Sequence, residues 1–184
     1  VNPWRAVSFH TNDTLYNEQI GNLVISLLKF QIPYSIKTVP DKGSWLANTL
    51  AMSGYILEAL EIFEENIVFL DADAIVRQYP VLFDTIDCDF AVHYRENVEL
   101  LAGTMYFRNS EKVKELIREW IIASRNKGAG LAAQTGLNDV VSAGDYNVYR
   151  LPAPYTLIFD RMKAAGPPVI EHFQASRKAR KWKL

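Results

Sequence analysis

Three short apolar runs separated by two stretches of helical periodicity, all within the first 70 residues, leave this chain few ways to fold. Residues 4–10, Trp-Arg-Ala-Val-Ser-Phe-His, are partly β-branched or aromatic and stop at Thr11-Asn12-Asp13, residues suited to capping a helix. Ile20, Leu23, Val24, Leu27 and Leu28 then recur at helical spacing until Pro33. A second strand is expected over 34–39. The turn Pro40-Asp41-Lys42-Gly43-Ser44 ends in a capping serine and starts a helix running to about Phe63, with Leu46, Leu50, Leu57, Leu60 and Phe63 on one face and a weak point at Gly54. Ile67-Val68-Phe69-Leu70 reads as a buried strand. Strand, helix, strand, helix, strand in this rhythm implies right-handed crossovers and a largely parallel sheet, hence an α/β fold.

The pattern then loosens. Residues 90–93 and 103–107 look like strands joined by the charged segment 94–99, and Val113, Leu116, Ile117, Trp120 and Ile121 mark an amphipathic helix over 111–126. Gly128 and Gly130 open a loop before a helix over 131–143, a late strand over 146–152 and an extended segment over 167–174. At 184 residues the chain suits one domain spanning 1–184. A net charge of −1 argues against a whole-surface nucleic-acid binder, yet five of the twenty Lys and Arg residues fall in the last eight positions, so an anionic partner would be met locally. No apolar stretch reaches the length of a membrane span, and the first residues do not resemble a signal peptide. With a lone cysteine, Cys88, no internal disulfide can form, and a cytoplasmic setting is expected.

In "NIVFLDADAIVRQYP", residues 66–80, two aspartates one residue apart follow the buried strand directly. Asp71 and Asp73 could simply mark a turn, since Asp is common where strands end. The carboxyl ends of parallel strands are, however, where open α/β sheets bind ligands, which points to a metal or phosphate site.

Four segments, "VPDKGSWLAN" at 39–48, "IVFLDADAIV" at 67–76, "ELLAGTMYF" at 99–107 and "IEHFQASRKAR" at 170–180, occur in an order that resembles the nucleotide-sugar-dependent glycosyltransferases of the GT-A fold. The resemblance covers nearly the whole chain. It implies a single GT-A-like domain with a mostly parallel, Rossmann-like central sheet flanked by helices. It also implies transfer of a sugar from a nucleoside diphosphate sugar, with the order of motifs closest to the UDP-sugar-using, retaining branch. Manganese, or magnesium, is the implied cofactor, and the acceptor, whether glycan, lipid or protein, stays open. In the resembled family the second Asp and a late His bind the metal while the first Asp contacts ribose or metal-bound water, positions that correspond here to Asp73, His172 and Asp71.

Residue chemistry supports that assignment. A diphosphate leaving group gathers negative charge that a divalent cation can offset. Hard oxygen ligands suit magnesium or manganese, and an imidazole such as His172 tilts the preference toward manganese. The basic tail 176–184, with Ser176, Arg177, Lys178 and Arg180, would complete the neutralisation as a lid over the diphosphate; otherwise it is a solvated terminus. Phe9, His10 and Thr11 match the place where the family receives the nucleoside, although core packing explains Phe9 equally well. Lys42 and Asn48 would flank the same cleft. Gly103 and Thr104 match a small-residue turn beneath the transferred sugar, and a β-bulge is the plain alternative for Gly103.

Two departures bear on turnover. In "AAQTGLNDVV", Ala133 precedes Gln134 where the family often places an acid that reaches the donor sugar, so Gln134 and Asp139 are the candidate catalytic residues, Asp139 substituting from the next turn. Met52-Ser53-Gly54 stands where relatives tend to carry a basic residue. A nucleotide-sugar-binding module without turnover is therefore an alternative. An aspartate-nucleophile phosphatase, with Asp71 attacking phosphorus and Asp73 as acid and base, is another. That family normally places its motif on the first strand, before Gly-Thr or a similar turn, whereas here Ala74-Ile75 follows and two strands precede.

Overall fold

The expected strand–helix alternation is present. The computed structural model describes residues 3–12, 14–126, 132–163 and 166–175. Strand β1 (Trp4–Thr11) leads through helix α1 (Thr14–Lys29) to β2 (Tyr34–Val39), and helices α2 (Trp45–Leu50) and α3 (Met52–Ile62) return the chain to β3 (Asn66–Leu70). Both β2 and β3 pair with β1 in parallel, one on either side. The two crossovers run in opposite directions across the sheet and their helices pack on opposite faces, as crossovers of one hand require.

Beyond β3 come the short strand β4 (Ala74–Val76), β5 (Phe90–Arg95), β6 (Glu99–Phe107), α4 (Glu111–Asn126), α5 (Ala132–Ala143), β7 (Val148–Arg150), β8 (Leu157–Ile158) and β9 (Ile170–His172). The main sheet has the order β2-β1-β3-β6-β5-β7. Only β6 runs against the others, antiparallel to both β3 and β5, so the sheet is mostly parallel with one reversed strand. Strands β4, β9 and β8 form a separate small sheet.

Alternation along the strands sorts the core into two layers. Trp4, Ala6, Val68, Leu70 and Tyr106 face α1 and the small sheet, while Val7, Ile67, Phe69, Met105 and Phe107 face α3, α4 and α5. Trp120 and Leu116 of α4 are wholly buried in the second layer, which is why the amphipathic pattern over 111–126 was so plain.

Three boundaries differ from expectation. The helix expected from Ser44 to Phe63 is two, broken at Ala51, whose N–H turns back to Asn48 O and Thr49 O. Ser44 is its N-cap, accepting from Ala47 N at 3.1 Å, while the helix passes unbroken through Gly54. The segment 94–99 is not a charged linker. Tyr94 and Arg95 pair with Leu100 and Glu99, the Arg95–Glu99 ion pair tying the tip, and Glu96 and Asn97 make the turn with φ of 52° and 62°. Finally, the two- and three-residue strands β4, β8 and β9 carry too few residues for any period to show. The expected loop at Gly128 and Gly130, Leu131 at the helix start, and the basic tail lie outside the described residues.

Candidate functional site

Strand β1 lies where the strand order reverses, with β2 on one side and β3 on the other, and such switch points open a crevice at the carboxyl ends of the strands. The aspartate pair sits there. Asp71 N donates to Gly103 O at 2.9 Å, and Ala74 N donates to Asp71 O at 2.9 Å, so the pair does mark a turn. That turn also delivers both carboxylates to one place. Strand β4 leaves it antiparallel to β9, with Ala74 opposite His172.

Asp71, Asp73 and His172 thereby offer three ligand atoms within 4.8 Å of one another. Asp73 is 7% exposed and His172 is 1% exposed. Asp73 Oδ2 accepts from Ala175 N at 2.6 Å, and Phe173 N donates to Asp73 O at 3.3 Å. Asp73 Oδ1 and His172 Nδ1, 3.7 Å apart, have no hydrogen-bond partner among the described residues. Buried polar atoms are seldom left so, because each costs about 1–3 kcal/mol unsatisfied. Two atoms at about 2.1 Å from one divalent ion can be no more than about 4.2 Å apart, so this pair is spaced to share a cation. Two carboxylates and one imidazole are a donor set that could hold a divalent cation. Asp71 is partly solvent-exposed yet ringed by protein atoms. That crowding, and then the like charge of Asp73, push its carboxyl up to about 7, while His172 pulls the other way.

A β-bulge shapes the floor. Val92 pairs with Met105 but His93 pairs with Leu101, leaving Ala102, Gly103 and Thr104 as extra residues on β6. A Cβ on Gly103 would stand 3.0 Å from His172 Cε1, 3.1 Å from His172 Nδ1 and 3.3 Å from Asp71 Oδ2, so only glycine fits without displacing a ligand. Thr104 is wholly buried, its Oγ1 2.8 Å from His172 Nε2.

The other candidates are more scattered. His10 and Thr11 end β1; the imidazole of His10 shares hydrogen bonds with Thr11 O and Thr38 Oγ1, both at 3.1 Å. Phe9 packs on Tyr55 and Phe69, with ring centroids at 4.8 and 6.0 Å, in a groove between β1, β2 and α3 that Asp71, Asp73 and His172 do not line. Asn48 uses both ends of its amide on the preceding loop, accepting from Lys42 N and donating to Asp41 Oδ1, each at 2.9 Å. The Lys42 residue is exposed. On α5, Ala133, Leu137 and Val141 are buried and Gln134 is half-exposed; Asp139, about 200° round from Leu137, is exposed. Ala133 O accepts from Trp120 Nε1 at 2.6 Å, and Ser53 is buried in α3. Lys178 lies outside the described residues.

Two contacts were not foreseeable from the sequence. Ala175 N, which holds Asp73, has no side-chain signature. Nor did anything in the sequence tie Thr104 to His172, 68 positions away.

No family model and no curated protein matches the sequence. Solved structures do match. A glycosyltransferase involved in the glycosylation of the major capsid of PBCV-1 aligns with a TM-score of 0.71 at 15% identity, covering 98% of this chain and 99% of that one. The glycosyltransferase GlyE of Streptococcus pneumoniae TIGR4 aligns at 0.62 and 16% identity over 92% of this chain and 55% of its own. The galactosyltransferase LgtC, solved with donor and acceptor sugar analogs, aligns at 0.61 and 10% identity over 96% of this chain and 94% of its own. With a six-stranded, mostly parallel central sheet flanked by helices that aligns with these structures, the chain has the GT-A glycosyltransferase fold.

Proposed function

We propose that this protein is a metal-dependent glycosyltransferase that moves a sugar from a nucleoside diphosphate sugar, most simply a UDP-sugar, to an acceptor, with retention at the anomeric carbon. The observation that carries the reading is the pair of unpartnered buried atoms, Asp73 Oδ1 and His172 Nδ1, facing each other beside Asp71 at the switch point of a GT-A fold. Asp71, Asp73 and His172 would hold Mn2+, or Mg2+, which when bound supplies positive charge against a diphosphate leaving group. Gly103 leaves room for the donor beside the ligands. The end of β1, at His10 and Thr11, would receive the nucleoside, and the basic tail with Lys178 would meet the diphosphate. A cytoplasmic setting is compatible with the single cysteine, which is buried and free.

The acid expected to reach the donor sugar is missing from its usual position. Ala133 is buried where the resembled family often carries an acid, and Asp139 is exposed on the far side of α5. These observations favour a second reading, a nucleotide-sugar binder without turnover.

A thermal-shift panel of UDP, GDP and CMP, alone and with Mn2+, tests the first step. A ligand at a hundred to a thousand times its dissociation constant stabilises by about 2.7 to 4.1 kcal/mol, so one diphosphate should give a shift that Mn2+ enlarges. The same shift in chelator as in Mn2+ would remove the metal from the proposal. Transfer or hydrolysis of the matching nucleotide sugar would then decide between enzyme and binder.

A further inference from the structure

We infer that Thr104 is a positioning residue that carries His172 across a tautomer change, its hydroxyl donating to Nε2 in the metal-free protein and accepting from Nε2–H when Nδ1 ligates a divalent cation. The inference rests on the metal-binding reading above. It deepens that reading by giving a residue outside the ligand set a defined task.

Thr104 is 0% exposed and His172 is 1% exposed, so bulk water cannot serve the ring. A neutral imidazole has one proton and two nitrogens, one donor and one acceptor. Its Nε2 has a partner, Thr104 Oγ1 at 2.8 Å, while Nδ1 has none among the described residues. Across from Nδ1 stands Asp73 Oδ1 at 3.7 Å, beyond hydrogen-bond length but close enough for charge to matter. Without a cation, a lone pair on Nδ1 would face an anionic oxygen. The metal-free protein therefore favours the proton on Nδ1, toward Asp73, with the Thr104 hydroxyl donating to Nε2.

Ligation reverses both preferences. Nδ1 must offer its lone pair, so the proton has to reside on Nε2, and the buried Nε2–H then needs an acceptor. Thr104 Oγ1 can become one by rotating its hydroxyl, since a threonine oxygen both donates and accepts. A methyl group in that position could serve neither state. Groups that hold the remote nitrogen of a metal-bound histidine typically contribute 10- to 100-fold in affinity. The extra residues of the β6 bulge bring the hydroxyl to this place. The same bulge contributes Gly103, whose missing Cβ leaves space 3.1 Å from Nδ1.

The test uses the full chain and metal alone, so that no nucleotide or acceptor need be known. Nitrogen-15 multiple-bond NMR of the histidines, with His172 assigned through H172Q, should show the Nδ1–H form without metal and the Nε2–H form after addition of diamagnetic Mg2+. Mn2+ affinity, read from the paramagnetic resonance of free ion, should fall about 10- to 100-fold in T104V and return to within about threefold in T104S. Melting curves of both variants identify any loss due to misfolding, and rescue by serine separates the hydroxyl from packing. A folded T104V with wild-type Mn2+ affinity, or a His172 tautomer unchanged by Mg2+, would overturn this inference alone. A wild type that binds neither ion would overturn the metal reading and this inference together.

Discussion

Replacing Asp73 by asparagine should make the metal-free protein more stable while abolishing its response to metal. Asp73 Oδ2 is already engaged by Ala175 N at 2.6 Å, so an asparagine would keep its oxygen there and place its amide nitrogen where Oδ1 stood. That nitrogen would face His172 Nδ1, now 3.7 Å from Oδ1, and could donate to it after a small rotation once the imidazole proton moves to Nε2, where Thr104 Oγ1 can accept it. A buried carboxylate oxygen without a partner is thus exchanged for a neutral hydrogen-bonded amide, a gain of about 1–3 kcal/mol. For a chain of this length 1 kcal/mol shifts the midpoint by about 2–4 °C, so the metal-free D73N midpoint should rise by roughly 2 to 12 °C. Mn2+ at a hundred times its dissociation constant should raise the wild type by about 2.7 kcal/mol and leave D73N unmoved. Differential scanning calorimetry at pH 8, with chelator and then with Mn2+, reads both effects. A D73N protein that melts several degrees below wild type in chelator, or one that keeps the Mn2+ shift, would refute the reasoning. Asp71→Asn should weaken Mn2+ less than D73N, because the partly exposed Asp71 is the outer member of the cluster.

The Asp71 carboxyl, held at about 7 when folded, has a raised value, so its contribution to metal-free stability is full below the ordinary carboxylate range and is lost as pH rises through about 7. Metal must displace that proton, so Mn2+ affinity should climb with pH and level off above about 7; calorimetry at pH 6 showing no proton release on binding would count against it. Gly103→Ala should cost about tenfold in Mn2+ affinity, since a Cβ 3.0 to 3.1 Å from the His172 ring must push it aside and overpacking of about 1–3 kcal/mol spans that factor; a titration matching wild type would show that the ring yields freely. Deleting residues 176–184 should weaken UDP binding in Mn2+ and abolish transfer with little change in melting temperature; normal donor binding by the truncated protein would return the tail to a solvated terminus.

Much of the frame was legible because its signals are local. The strand over 34–39 and the helix over 111–126 coincide with β2 and α4, and in α4 Val113, Leu116, Ile117 and Trp120 are buried at helical spacing. Asp71 and Asp73 stood out because a run of buried apolar residues ended on two carboxylates. What the sequence could not reveal depends on pairing between distant segments. The 94–99 stretch looked like a charged linker, yet Arg95 and Glu99 are cross-strand partners, a relation that appears only once the hairpin is closed. The helix break at Ala51 lacks a glycine or proline to announce it. Asp139 looked available as a stand-in acid by spacing from Gln134, but its exposure follows from which face of α5 Leu137 buries.

The pairing of β4 with β9 has a consequence for how the chain comes apart. The hydrogen bond from Ala175 to Asp73 closes a loop of 102 positions, and it joins the segment after β3 to the last described strand. Closing a loop of that size costs entropy that only the completed contacts return. Peeling β9 away would break no backbone pairing of β1, β2 or β3, but it would remove His172 and the Ala175 donor in one event. A ligand that grips Asp73 and His172 together therefore acts as a clasp across the sequence, and its binding energy opposes that opening in full. In hydrogen exchange, the amides of Phe173 and Ala175 are the reporters of the clasp: metal should slow them far more than the amides of β2, an edge strand of the main sheet.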